Sequence, residues 1–270
     1  MMGKLKIVGL EEHVAVQPLL DAWAKVPGIP QIAELGYGDE PLAKRLRDVG
    51  TQRLADMDDL GIDVQVLSLS TPGVQSLAPD AAVTVARASN DALAVIVRAH
   101  PTRFQALAAV PTPDPEAAAE ELERAVTQLG FRGGMLFGRT GDVSADAREF
   151  DPLYATAARL GAPLYLHPQT PVQPVMQAYY AGFDKKVDQM FGTFGLGWYY
   201  DNGVQLLRLI FSGVFDRHPN LQVIVGHWGE LVLFYLDHIA SMQATGLRLE
   251  RPLADYFRQN VWVTGSGLLS

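Results

Sequence analysis

Three apolar, strand-like runs each end in side chains that can bind a metal: Lys6-Ile7-Val8-Gly9-Leu10-Glu11-Glu12-His13, Pro163-Leu164-Tyr165-Leu166-His167 and Gln222-Val223-Ile224-Val225-Gly226-His227. Parallel barrels carry their chemistry at the carboxyl ends of their strands, so three such ends can aim one carboxylate and three imidazoles at a single point. On an extended strand Glu11 and His13, two apart, share a face while Glu12 turns away. Convergent polar groups are costly to desolvate without a cation, and a divalent ion removes that cost. His227 sits in Gly226-His227-Trp228-Gly229-Glu230. It can be a fourth ligand or an acid/base beside the metal. Glu230, three residues on at the start of an expected helix, can orient it or be an ordinary acid at a helix N-terminus.

Two further residues are candidates for substrate binding. Arg139 follows the run Gly133–Phe137, where a strand's carboxyl end would bring a guanidinium to a substrate anion; the competing reading is an exposed loop cation. Trp198 belongs to an aromatic-rich insertion from Pro168 to about Gly203. Such a cluster either packs internally or walls a pocket for a flat ring. His100, His218 and His238 read as structural.

These side chains need strands to position them, and the chain alternates strand and helix. Strands are expected at 6–13, Asp63–Ser70, Phe104–Val110, Gly133–Phe137, Pro163–His167, Leu221–Gly226 and Val261–Gly265. Helices are expected at Pro41–Leu60, Asp80–Ala99, from Asp114 to near Leu129, and at Asp151–Leu160, Gln205–Phe211 and Leu231–Met242. A Pro- and Gly-rich excursion through Pro27-Gly28-Ile29-Pro30 and Leu35-Gly36-Tyr37-Gly38 reads as a lid or binding loop. Alternation at this spacing argues for right-handed βα units and a parallel sheet. An open doubly wound sheet would announce itself with a Gly-rich turn after the first strand. Here that strand ends in Glu11-Glu12-His13, so a barrel is the better expectation, although seven strands are counted where a closed (β/α)₈ barrel needs eight.

Composition narrows the function. The 270 residues carry a formal charge of −8, which with no basic cluster argues against nucleic-acid binding or a polybasic membrane contact. There is no cysteine, so any metal is held by nitrogen and oxygen. No apolar run approaches the roughly 18 residues of a membrane helix, and the N-terminus lacks a secretory pattern. A cytoplasmic protein is expected.

Beyond the three strand ends, the chain contains Val66-Leu67-Ser68-Leu69, Tyr165-Leu166-His167-Pro168, Ser212-Gly213-Val214-Phe215 with His218-Pro219, Gly226-His227-Trp228-Gly229-Glu230 and Thr264-Gly265-Ser266-Gly267. In this order the motifs resemble the metal-dependent decarboxylase branch of the amidohydrolase superfamily. That branch includes γ-resorcylate, 5-carboxyvanillate and aminocarboxymuconate-semialdehyde decarboxylases. The Glu-x-His form of the first motif is similar to the γ-resorcylate enzymes in particular. The resemblance covers nearly the whole chain. It implies a distorted (β/α)₈ TIM barrel and one Zn²⁺ or Mn²⁺ held by Glu11, His13 and His167. It also implies His227 as the active-site histidine supported by Glu230, and a homodimer or homotetramer.

Two departures accompany the resemblance. Family members bear a metal-binding Asp on an eighth strand, and no residue here matches it. The expectation is therefore a single barrel domain, 1–270, incomplete at its C-terminus. Several relatives also carry an Arg where this chain has Leu236. The expected activity is non-oxidative decarboxylation of an aromatic or unsaturated (hydroxy)carboxylic acid. The alternatives are a metal-dependent amidohydrolase or lactonase and a non-catalytic degenerate barrel.

Overall fold

Six consecutive side chains, Val64 to Leu69, are buried without alternation, the pattern of a parallel strand covered on both faces. In the computed structural model, which describes residues 5–27 and 41–265, the chain divides into two compact units, 1–135 and 136–270. The first contains, in order, β1 (Val8–Val14), α1 (Gln17–Trp23), α2 (Pro41–Arg47), α3 (Thr51–Leu60), β2 (Val64–Leu69), α4 (Pro79–Ala99), β3 (Phe104–Ala109), α5 (Pro115–Gln128) and the start of β4 (Gly133–Phe137). Its strands pair in parallel and in chain order, β1 to β2, β2 to β3 and β3 to β4.

Local chemistry explains most of these boundaries. Asp114 caps α5 by accepting from the Ala117 N–H at 3.1 Å, and Pro115 starts the helix where no N–H is needed. Gly61 closes α3 in the left-handed region at φ 70°. One expectation fails here. The helix expected over Pro41–Leu60 breaks between Arg47 and Thr51. The Asp48 carboxylate takes the N–H groups of Gly50 and Arg53, at 2.9 and 3.0 Å, and so competes with continued helix. The excursion after the first strand begins with helix α1, whose buried Trp23 donates to the Gly73 carbonyl. The rest of that excursion, 28–40, lies outside the described residues.

The second unit holds the end of β4, a hairpin of β5 (Arg139–Thr140) and β6 (Val143–Ser144), α6 (Asp151–Leu160), β7 (Leu164–His167), α7 (Gln173–Val175), α8 (Lys185–Met190), α9 (Gly197–Phe211), α10 (Val214–Arg217), β8 (Val223–Val225) and β9 (Val261–Val263). Strands β7, β8 and β9 pair in parallel. The hairpin was not anticipated, nor was the helix over Leu253–Gln259 that precedes β9. The aromatic insertion is helical, with π-helical turns at Met176–Tyr180 and Phe191–Gly195. Helix α9 starts at Gly197, ahead of the expected Gln205, so Trp198 lies in its first turn. The helix expected over Leu231–Met242 is a chain of short pieces, 3₁₀ at Val232–Tyr235, α at Leu236–Ala240 and 3₁₀ at Ser241–Thr245. Seven parallel strands are present, and an eighth is not found among the described residues.

A buried polar clasp holds the first unit's helices to its sheet. Asn90, on α4 and fully buried, donates to the Ala109 carbonyl and accepts from the Ala109 N–H at the end of β3, at 3.0 and 2.8 Å. It also donates to Glu121 on α5, which Arg124 grips through two nitrogens. Asn90→Ala leaves both Ala109 groups without these bonds inside the core. Each such group costs about 1–3 kcal/mol, so urea denaturation is expected to register a loss of about 2–6 kcal/mol.

Candidate metal centre

Glu11 and His13 come from β1, but not from a regular strand. Gly9 faces Gln65 and Glu12 faces Leu67, so one extra residue is inserted in β1 between those pairs. A bulge of this kind re-aims side chains at the end of a strand. His13 Nε2 and Glu11 Oε1 are 3.7 Å apart. Glu12 does turn elsewhere. Its carboxylate folds over Gly9, where a Cβ would collide with it. Burial raises the Glu12 pKa above the usual carboxylate value, with nearby Arg53 opposing the shift.

The backbone under His13 is pinned. Arg53 on α3 donates to the His13 carbonyl at 3.0 Å, to the Arg45 and Asp48 carbonyls, and to Gln65 on β2. The imidazole itself meets the fully buried Ser68 hydroxyl through Nδ1 at 3.2 Å. That contact engages Nδ1 and leaves Nε2 on the Glu11 side.

In the second unit, His167 ends β7 and is 3% exposed. Its Nδ1 lies 2.7 Å from the Pro168 carbonyl. A carbonyl only accepts, so Nδ1 carries the proton and Nε2 the lone pair, the tautomer a metal requires. Phe137 packs edge-on against the ring at 5.4 Å. The His167 carbonyl accepts from the Gly138 N–H, which ties the end of β7 to the residue after β4.

Glu11, His13 and His167 each offer one ligand atom, and the three atoms lie within 4.8 Å of one another. Two ligands at about 2.1 Å from one ion are about 3.4 Å apart at a tetrahedral angle and about 4.2 Å apart across it. The Glu11–His13 spacing of 3.7 Å falls inside that range. One carboxylate and two imidazoles, with Nδ1 of both rings engaged elsewhere, form a donor set that fits a divalent transition metal.

His227 and Glu230 form a separate pair, with Nδ1 to Oε1 at 3.0 Å. Glu230 is not at the start of a right-handed helix as expected. His227, Trp228, Gly229, Glu230 and Leu231 all have positive φ, so this segment is a left-handed turn. The turn brings a carboxylate three residues on back against its own histidine. Helix α9 approaches it closely, and a Cβ on Gly203 would sit 2.6 Å from the Glu230 carbonyl oxygen. Asn202 donates to Glu230 Oε1 at 2.9 Å, and the Tyr199 ring lies over His227 at 4.5 Å. The His227 ring is 6.3 Å from that of His167.

Arg139 and Trp198 converge on Thr170, three residues past His167. Arg139 donates to the Thr170 carbonyl and to the Gly141 carbonyl, and the Trp198 indole N–H donates to the Thr170 hydroxyl at 3.3 Å. Asp201 faces the Arg139 Nε at 3.8 Å. Burial lowers the Arg139 pKa and raises that of Asp201, each partly offset by the other. Of the structural histidines, His100 packs against Phe104, His218 meets Asp151 at 3.4 Å, and His238 is exposed on a short helix. Sequence reasoning missed the supporting residues Ser68, Arg53, Tyr199 and Asn202. Of these, Ser68 left a trace as a hydroxyl between two leucines of a strand, and Tyr199 as a member of the aromatic-rich insertion.

Comparison with known proteins places this geometry. A family model described as amidohydrolase matches residues 21–269. The chain belongs to the amidohydrolase family. Gamma-resorcylate decarboxylase of Rhodococcus jostii strain RHA1 is 35% identical, over 99% of this chain and 81% of that protein. The crystal structure of 5-carboxyvanillate decarboxylase from Sphingomonas paucimobilis superposes with a TM-score of 0.87 at 33% identity, over 99% of this chain and 82% of that one. Dihydroxybenzoic acid decarboxylase from Polaromonas sp. JS666, solved with manganese and 2-nitroresorcinol, superposes with a TM-score of 0.82 at 34% identity, over 97% and 79%. The fold is thus the amidohydrolase (β/α) barrel type, and the proteins similar to this family member include decarboxylases of aromatic hydroxycarboxylic acids.

Partners that orient a metal-binding histidine typically contribute 10- to 100-fold in metal affinity. Ser68→Ala is therefore expected to weaken metal binding at least tenfold in a competitive chelator titration, while the far-UV circular dichroism spectrum stays unchanged.

Proposed function

We propose that this amidohydrolase is a metal-dependent, non-oxidative decarboxylase of a hydroxylated benzoic acid or a closely similar unsaturated acid. In the net reaction the bond from ring carbon to carboxylate breaks, carbon dioxide leaves, and a proton takes its place on the ring. The observation that carries the reading is the Glu11, His13 and His167 triplet, with its ligand atoms inside 4.8 Å. The names of the similar proteins supply the substrate class. Glu11, His13 and His167 would hold one Mn²⁺ or Zn²⁺. An ion there would supply Lewis-acid chemistry suited to an aromatic carboxylate.

The chain's own residues do the rest. Glu230 accepts from His227 Nδ1, so His227 presents Nε2, the atom that holds or passes a proton. Tyr199 limits the rotation of that ring. Trp198, with Arg139 bracing the same Thr170 loop, would form a wall of the substrate pocket, and Arg139 would face the substrate's anionic side. The two compact units would form one barrel domain, assembled as a homodimer or homotetramer in the cytoplasm. Among the described residues no helix is long and apolar enough to cross a membrane.

Purified protein loaded with Mn²⁺ is expected to release carbon dioxide from 2,6-dihydroxybenzoate or 5-carboxyvanillate, and to lose the activity on chelation and regain it on adding Mn²⁺. Hydrolysis of lactones or amides without carbon dioxide release would overturn the reading. His167→Ala is expected to lose metal and activity together with the fold intact. Full metal occupancy in that variant, measured by plasma mass spectrometry, would remove His167 from the ligand set. Trp198→Ala is expected to raise KM severalfold at unchanged metal content.

A further inference from the structure

The structure assigns a positioning role to Asn202, a residue the amino-acid pattern leaves inconspicuous within α9. The inference rests on the reading of His227 and Glu230 as the acid/base pair. Asn202 is 1% exposed, and its side-chain NH₂ divides its two protons between separate parts of the second unit. One goes to the Leu166 carbonyl at 3.0 Å, the peptide immediately before His167. The other goes to Glu230 Oε1 at 2.9 Å, the same oxygen that meets His227 Nδ1. A single amide therefore links the strand end bearing a metal ligand to the carboxylate that holds the second histidine.

The chemistry explains why an amide serves here. Glu230 is 1% exposed. A donor aimed at its Oε1 favours the ionised carboxylate over the neutral acid, and an ionised carboxylate is what fixes the proton on His227 Nδ1. An amide supplies that donor without adding charge to the core. Its second N–H, held by the Leu166 carbonyl, stops it from rotating away. Asn202 acts through Glu230. It sets where His227 Nε2 lies relative to the end of β7, and does not itself touch substrate.

A merely structural tie between α9 and β7 would have a different signature. It would lower thermal stability and leave the imidazole unaffected. The test therefore reads the imidazole directly. In full-length protein labelled with ¹⁵N-histidine, the His227 Nδ1–H resonance is assigned by its disappearance in His227→Gln. Asn202→Ala is expected to shift that resonance or broaden it beyond detection, with metal occupancy unchanged. Should Asn202→Ala fail to fold, Asn202→Asp, isosteric but without the two donor protons, takes its place with the same expectation. An unaltered resonance in the folded variant overturns the proposal.

Kinetics give the second arm. Asn202→Ala is expected to lower kcat about 10- to 100-fold, the usual range for an orienting partner, with KM within about twofold. In a Glu230→Gln background the same substitution is expected to add nothing, because its route of action is already cut. Additive losses would overturn the proposal. A wild-type protein that releases no carbon dioxide would defeat the decarboxylase reading, and the imidazole resonance would still decide the role of Asn202.

Discussion

An imidazole has two nitrogens, and only one can face a cation or a substrate at a time. The site depends on Nδ1 being committed to the protein. His13 commits it to the Ser68 hydroxyl, His167 to the Pro168 carbonyl and His227 to the Glu230 carboxylate. For two of the three rings the partner is an acceptor, which dictates the tautomer as well as the orientation. A carbonyl or carboxylate opposite Nδ1 leaves Nε2 as the atom with the lone pair. The arrangement costs little entropy at the moment of binding, because the rings are already turned.

Holding the rings also requires holding the peptides that carry them. Arg53 reaches from α3 to the His13 carbonyl, and the Gly138 N–H reaches the His167 carbonyl. These contacts act on the strand ends, where the ladder hydrogen bonds run out and the backbone would otherwise fray. The bulge in β1 fits the same logic. An inserted residue changes the direction in which Glu11 and His13 leave the strand while the Val8–Val64 and Gly9–Gln65 pairs below it keep their register. Gly9 gives the Glu12 carboxylate room to fold back, so the intervening acid is kept away from the side chains of Glu11 and His13.

The strands and their polar tips were legible in the sequence because both signals are local. Gly133–Phe137 matches its expected bounds, and the capping of α5 by Asp114 and the closure of α6 by Gly161 follow from single residues. The second layer of the site was not legible because it is long-range. Ser68 lies 55 residues from His13, Arg53 is 40 away, and Asn202 is 28 from Glu230. No periodicity links such pairs. Helix bounds failed for a related reason. Asp48 breaks one helix through side-chain hydrogen bonds that a hydrophobic pattern does not register. The segment after Leu231 divides into short turns although its composition suits a helix.

The left-handed turn from His227 to Leu231 is the least foreseeable element and the most demanding. Four of its five residues are not glycine, yet all have positive φ. At about 1–2 kcal/mol for each such residue, the turn costs roughly 4–8 kcal/mol, comparable to the net stability of a typical domain. A right-handed helix after β8 would cost nothing of the kind, so the cost must be offset by contacts specific to the turn. The Trp228 N–H bonds to the Thr264 carbonyl and the Gly229 N–H to Gly226. Asn202 holds the Glu230 carboxylate, and Tyr199 covers His227. The lack of a side chain at Gly203 lets α9 come close enough for the last two contacts to form. Strain of this size persists where the surroundings over-determine the backbone. Here the surroundings that do so are the same residues that aim His227, so the geometry of the His227–Glu230 pair and the stability of the turn have one origin.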